Sequence, residues 1–402
     1  MKTLSGVART LRAWIAVCAV ALLAACASTP KPFSASHVEL PFEQAIAQAS
    51  DGVVEQARSL PGFRFNGLIG KRRIVVDPML DAGSGQQTVT TERMQQRATQ
   101  RLQAGLSAAE FLPFETASLP KSDYLLTGTL TRHSDGLPRD ARLLNLALTD
   151  LKSGAVVAQA WSLVRNDGLD DTPLRYYGDS PVLVRDRVIE GYIATTATSV
   201  GQPGDPYYLA RLAVAPMITA ATGLYNAERY PESLAQFKAA HAADGGEQVR
   251  VLTGLYLSVA KTGSSAEAEE AFGRLAAYGI ANNQLRVKFL FNPGSTSFWT
   301  DPKVSGAYPM WLRQIAKESN AAKACMTVIG HTSHTGSDTV NDMLSLQRAD
   351  MIRQRLITEV GAVARRSTVL GRGYRDNIIG TGSDDAVDAL DRRVEFKVVP
   401  CS

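Results

Sequence analysis

The chain has 402 residues, 45% of them hydrophobic and 20% charged, with a formal charge of +4. These are values of globular domains, not of a disordered chain. Residues 1–25 hold Lys2, Arg9 and Arg12 and no acidic residue. The leader therefore carries three of the four net charges, which leaves no basic surplus to argue for nucleic-acid binding. Beyond it no apolar run approaches the roughly 18 residues of a membrane-spanning helix, and the remainder is long enough for two or three domains.

In chain order, the basic start leads into an apolar core over Ala13–Leu23 and then Leu23-Ala24-Ala25-Cys26. That order reads as a secretory signal, because the core is too short for a permanent span. With Cys26 at the cleavage point, the segment resembles a bacterial lipoprotein signal. The resemblance implies cleavage before Cys26, diacylglycerol on its sulfur and an acylated amino group, palmitate among the chains. Ala27 follows where aspartate would imply inner-membrane retention, so it implies the outer membrane, facing the periplasm. Several acyl chains hold far more firmly than one. Residues 26–40 are polar and carry prolines, a lipidated tether that extends to roughly 45 Å.

An α/β sandwich is expected over 41–200. Phe42, Ile46, Ala49, Val53 and Ala57 mark an amphipathic helix over 41–58. Strand Arg73–Asp77, helix Thr91–Leu106 and extended pieces at Phe111–Phe114 and Asp123–Leu130 follow. Leu144, Leu146 and Leu148 alternate with Asn145, Ala147 and Thr149, the pattern of a half-buried strand. Asp150–Gly154 turns the chain into Val156–Val164. The set Asp123-Tyr124-Leu125-Leu126-Thr127-Gly128, with Asp150 and Ser153-Gly154, resembles the periplasmic domain of curli-secretion lipoproteins and of lipoprotein activators of penicillin-binding proteins. A generic α/β module is the alternative.

Residues 205–282 are alanine-rich and helical. Gly223-Leu-Tyr225 recurs as Gly254-Leu-Tyr256, Phe237 has an echo in Phe272, and Pro231 suits a first helical turn. This resembles tetratricopeptide hairpins; two repeats are too few to stand alone, so the segment is expected to pack on a neighbour. A plain helical linker is the alternative.

The most specific pattern comes last: Gly330-His-Thr-Ser333-His-Thr-Gly336, Asn341, Leu344-Ser345, Arg348-Ala349, then Asp391-Arg392-Arg393-Val394. Residues 338–358 have helical periodicity, with Val340, Leu344, Ala349, Ile352 and Leu356 apolar and Ser337 or Asp338 placed as cap. Asn341, Leu344, Ser345 and Arg348 share one face. Arg348 suits an anion clamp, since guanidinium meets carboxylate with two parallel hydrogen bonds. Every spacing from Gly330 to Ala349 resembles the OmpA-like peptidoglycan-associating domain, covering about 285–402. That resemblance implies a βαβα sandwich binding the diaminopimelate of the murein stem without a covalent bond. It assigns Arg348 to a diaminopimelate carboxylate and Asn341 to the stem. Thr332 and Ser333 fall on the loop lip, Leu344 on the lining face and Arg393 at the pocket's edge. Ser333 stands where the family has aspartate, and Asp391 where it has asparagine. Losing a charged hydrogen bond costs on the order of 1 kcal/mol; Asp338 or Asp342 are the candidates to compensate.

Two cysteines remain for pairing. Cys325 opens the apolar run 326–329 and Cys401 closes 394–399. If those strands run antiparallel, an oxidising periplasm favours a disulfide; two buried free thiols are the alternative. His331 and His334 lack a third ligand, so no metal is expected, nor any cofactor. Gly371–Gly373 and Gly380–Gly382 read as turns. No paired carboxylates or nucleophile elbow suggests an enzyme. The expectation is a multidomain α/β lipoprotein that tethers the outer membrane to peptidoglycan, with a protein partner at its α/β and tetratricopeptide-like regions. The rival is a periplasmic adaptor of a secretion, flagellar or wall-synthesis machine with weak or no wall binding.

Overall fold

The computed structural model describes residues 38–64, 70–132, 141–378 and 390–401. Cys26, most of the tether and Gly380–Gly382 lie outside the described residues.

Seven strands form the first sheet: β1 (Glu39–Leu40), β2 (Arg72–Val76), β3 (Leu80–Asp81), β4 (Ala109–Phe111), β5 (Tyr124–Arg132), β6 (Ala141–Asp150) and β7 (Val156–Arg165). Their order is β1-β7-β6-β5-β2-β4, with β3 beside β5. Helices α1 (Phe42–Ser59) and α2 (Val89–Gly105) cover one face, burying Ile46, Ala49, Val53, Met94 and Leu102 against Leu126, Leu144 and Leu148. The α2 start is set by a capping box, in which Thr88 accepts from the Thr91 amide and Thr91 Oγ1 from the Thr88 amide. That moves the start two residues before the expected Thr91.

The other face is covered as well. Helix α3 (Arg187–Ala197) packs Val188, Ile189 and Tyr192 on Val75 and Leu125. Asn145, Ala147 and Thr149 are therefore buried with the leucines between them, so β6 is not the half-buried strand its alternation suggests. The aspartate-tyrosine-glycine set has structural work here. Asp123 accepts from the Arg73 amide, and Asp150 closes the hairpin turn through the Lys152 and Ser153 amides. Gly128 donates to the Tyr192 hydroxyl, and a Cβ there would lie 2.6 Å from Met79 Sδ.

Two helical hairpins follow: α4 (Ala215–Asn226) with α5 (Tyr230–Ala242), and α6 (Val249–Thr262) with α7 (Ser265–Ala281). The recurring residues occupy matching helices. Gly254 has a packing reason, since a Cβ would fall 2.3 Å from the Phe237 ring, whereas a Cβ on Gly223 would meet nothing within 4 Å among the described residues. The hairpins do not stand alone. Tyr225, Phe237 and Phe272 share one core with Trp311, Phe289 and Val328 of the C-terminal part, and Trp311 donates to the Tyr256 hydroxyl at 2.8 Å.

The second sheet orders β10 (Ser367–Gly371), β9 (Cys325–Gly330), β11 (Val394–Val399) and β8 (Leu285–Val287). β11 is antiparallel to β9 with Val399 opposite Cys325, and β10 is parallel to β9. The antiparallel register carries Cys401 to Cys325, where a disulfide spans a Cα–Cα distance of 5.2 Å. Helices α8 (Tyr308–Ala321) and α9 (Asp338–Glu359) pack on this sheet. Pro181 and Leu183 extend its β8 edge through Lys288 N to Pro181 O and Leu183 N to Arg286 O, tying it to the chain that leaves the first sheet.

Candidate functional site

β9 delivers the chain to the site at Gly330, where a side chain is impossible: a Cβ would stand 2.1 Å from the Ser345 carbonyl oxygen. The loop 331–337 then leads into α9. Ser337 occupies the cap position without a capping side-chain bond among the described residues. The inward stripe of α9 is Asn341, Ser345, Arg348, Ala349, Ile352 and Leu356. This corrects the expected apolar face at its start: Val340 is 56% exposed and Leu344 only half-buried. Val340 falls outside this stripe, and the polar Asn341 holds the inner position, where it has a partner. Its amide donates to the Thr335 carbonyl at 2.8 Å.

Arg348 is 2% exposed. Its Nε donates to the Ser295 carbonyl at 3.0 Å, its Nη2 to the Asn292 carbonyl at 3.2 Å, and its guanidinium lies 4.7 Å from the Phe291 ring centre. The expected clamp is thus a buried guanidinium engaged by the loop after β8. Thr332 and Ser333 are buried as well. The Thr332 hydroxyl has no partner among the described residues, while Ser333 Oγ is 3.4 Å from the Thr335 hydroxyl.

Arg393 is not an open edge residue. It donates to Glu395 at 2.8 Å and to the Asp376 carbonyl at 3.0 Å, and Glu395 lies 3.7 Å from His331 Nε2. Burial opposes the Glu395 charge, yet Arg393 and Arg286 help outweigh it and hold the carboxyl below its ordinary value. Burial, then Arg393, pushes His331 down to about 4, so it sits neutral. His334 packs edge-on against Tyr374, and no group of three metal-binding side chains occurs among the described residues. Asp391 is buried and accepts from the Ile378 amide at 2.6 Å. Both candidates for replacing the missing carboxylate have partners of their own. Asp338 takes the Tyr374 hydroxyl, and Asp342 pairs with Arg375, which holds its carboxyl below the ordinary range.

Two parts of the site escaped sequence reasoning. One is Phe291–Ser295, whose only signal was the Pro293-Gly294 turn. The other is the segment 372–378, read only as turn glycines. Those glycines permit close approach to α9: a Cβ on Gly371 would lie 2.6 Å from Ser345 Oγ, and the Gly373 amide donates to that hydroxyl at 2.9 Å.

A four-stranded mixed sheet backed by two helices, with a loop and a helix start at one strand end, defines a small α/β domain. Residues 290–389 match the OmpA family, so the C-terminal part of the chain is an OmpA family domain. Among solved structures, the chain is similar to the periplasmic domain of Helicobacter pylori MotB, residues 97–256, at 18% identity and a TM-score of 0.25. That match covers 29% of this chain and 82% of the other. It is also similar to the cell wall anchor of the T6SS from Pseudomonas aeruginosa at 25% identity and a TM-score of 0.23, covering 28% and 78%. Among curated proteins none matches the chain.

Proposed function

We propose that this protein is an outer-membrane lipoprotein, anchored at Cys26 and facing the periplasm, whose OmpA-like domain binds peptidoglycan without a covalent bond. Its organisation is a leader over 1–25, a tether over 26–40, an α/β domain over 41–200, helical hairpins over 205–282 and the wall-binding domain over 285–402. The observation that carries the reading is that Thr332, Ser333, Asn341 and Arg348 are all buried inside the segment that matches the OmpA family, with Asn341 bonded to the loop that bears the two hydroxyls. Arg348 supplies the positive charge for a diaminopimelate carboxylate, Asn341 and the two hydroxyls supply hydrogen bonds, and Arg393 and Leu344 support the site's border. No step of chemistry is involved. Co-sedimentation of the full-length protein with purified sacculi tests it. Wild type is expected to be retained and Arg348→Ala to lose most retention; equal retention of both would remove the pocket from the account.

A second reading has its own support. Ser333 brings no charge, and two backbone carbonyls already engage Arg348. Both favour a periplasmic adaptor that uses this domain as scaffold, with a protein partner at the α/β and helical regions. Ser333→Asp separates the two: a large gain in sacculus binding would mean the native domain grips the wall poorly.

A further inference from the structure

The site is shut in this conformation. Thr332, Ser333, Asn341 and Arg348 are between 1 and 4% exposed, so a murein stem reaches them only if a framing segment moves. One such frame is the segment 372–378. The Thr332 amide donates to the Gly373 carbonyl, the Gly373 amide to Ser345, and Arg375 pairs with Asp342. In the amide orientation that satisfies its neighbours, Asn377 donates to the Thr332 carbonyl at 2.8 Å and accepts from the His334 amide at 3.3 Å. The next residue, Ile378, leaves the site and meets the first domain. An added Cβ on Gly83 would stand 3.2 Å from the Ile378 carbonyl oxygen and 3.7 Å from its Cγ2.

The first domain's side of this contact is a hydrogen-bonded turn. Asp81 accepts from both the amide and the hydroxyl of Ser84 at 2.7 Å, the Gly85 amide closes onto the Asp81 carbonyl, and Arg185 holds the Gly83 carbonyl at 3.1 Å. Between this turn and Ile378 lies a void of about 20 Å³ bordered by Asp81, Ser84, Arg142 and Asp171. A void of that size holds about one water. Among the described residues the contact is glycine-faced and incompletely filled.

We propose that the turn at residues 81–85 is an autoinhibitory clamp, pressing on Ile378 to keep the segment 372–378, and with it the wall-ligand site, closed until the first domain withdraws. The inference rests on the wall-binding reading and adds its regulation. Gly83 does not use the left-handed backbone region, but an added Cβ would meet Asp81 Oδ1 at 3.3 Å as well as the Ile378 carbonyl at 3.2 Å, so Gly83→Leu loads both sides of the contact and Ile378→Ala is the variant that leaves the turn itself unchanged. Ile378→Ala removes the side-chain part of the contact from the opposite side and keeps the carbonyl. Full-length wild type, Gly83→Leu and Ile378→Ala would be compared by sacculus co-sedimentation and by hydrogen exchange at the Gly373 and Ile378 amides. Both variants are expected to bind sacculi at least about threefold more tightly and to exchange those amides faster. Unchanged or weaker binding, with wild type retained, would overturn the clamp and leave wall binding standing. No retention of any of the three would overturn the wall-binding reading, and the clamp with it.

Discussion

Replacing Asp77 with asparagine should stabilise the protein near neutral pH, and the size of the gain follows from what surrounds the carboxylate. Asp77 is buried at the end of β2, accepts the Tyr208 hydroxyl at 2.6 Å and feels the Arg250 charge. Burial nevertheless wins, raising its pKa from 3.8 to about 6. Between those values the folded chain holds a proton that the unfolded chain has released. Stability therefore falls as pH rises through that window and stays reduced above it. Two pH units correspond to about 3 kcal/mol at 1.36 kcal/mol per unit. The substituted amide keeps an acceptor for Tyr208 and removes the charge; Arg250 then retains Asp186 as its nearby carboxylate. The expected gain for Asp77→Asn is about 1–3 kcal/mol at pH 7.5, shrinking toward zero near pH 4. Urea unfolding of both proteins at about pH 4, 5, 6 and 7.5 measures it. A difference that does not vary with pH, or a loss at the highest pH, would refute the reasoning.

The remaining predictions concern other links in the fold. Cys325→Ser with Cys401→Ser should cost about 2–4 kcal/mol, because the bond closes a separation of 76 residues; unfolding with and without reductant checks it, and identical midpoints would contradict it. Gly254→Ala places a methyl 2.3 Å from the Phe237 ring and should destabilise by about 1–3 kcal/mol in urea titration. His331, held near 4 by burial and Arg393, should stay neutral down to about pH 5 in its NMR ring-proton titration. Since its folded pKa lies below the ordinary 6.5, the unfolded chain binds the extra proton first, and His331 removes stability as pH falls from about 6.5 toward 4. A titration midpoint above about 6 would count against that burial.

Local signals reached a long way into this chain. Period and spacing placed α1, α9 and the β6–β7 hairpin, and the run from Gly330 to Ala349 put Asn341, Ser345 and Arg348 on one helical stripe, because a helix sets neighbours at three and four residues whatever surrounds it. The cysteine count pointed to Cys325 and Cys401, although only the antiparallel register of β9 and β11 brings them together. Tertiary packing decided the rest. Burial on both faces of β6 depends on α3, which lies well beyond it in the chain, and no alternation within the strand can reveal a cover supplied from elsewhere. Val340 looked like core and lies outside, while its neighbour Asn341 holds an inward position with a partner for its amide. Arg348 had the charge of a clamp from sequence alone. That it is engaged by carbonyls at Asn292 and Ser295, and that Ile378 rests on Gly83, are facts of long-range contact. Such contacts depend on where distant backbone comes to lie, which leaves no periodic trace in either segment.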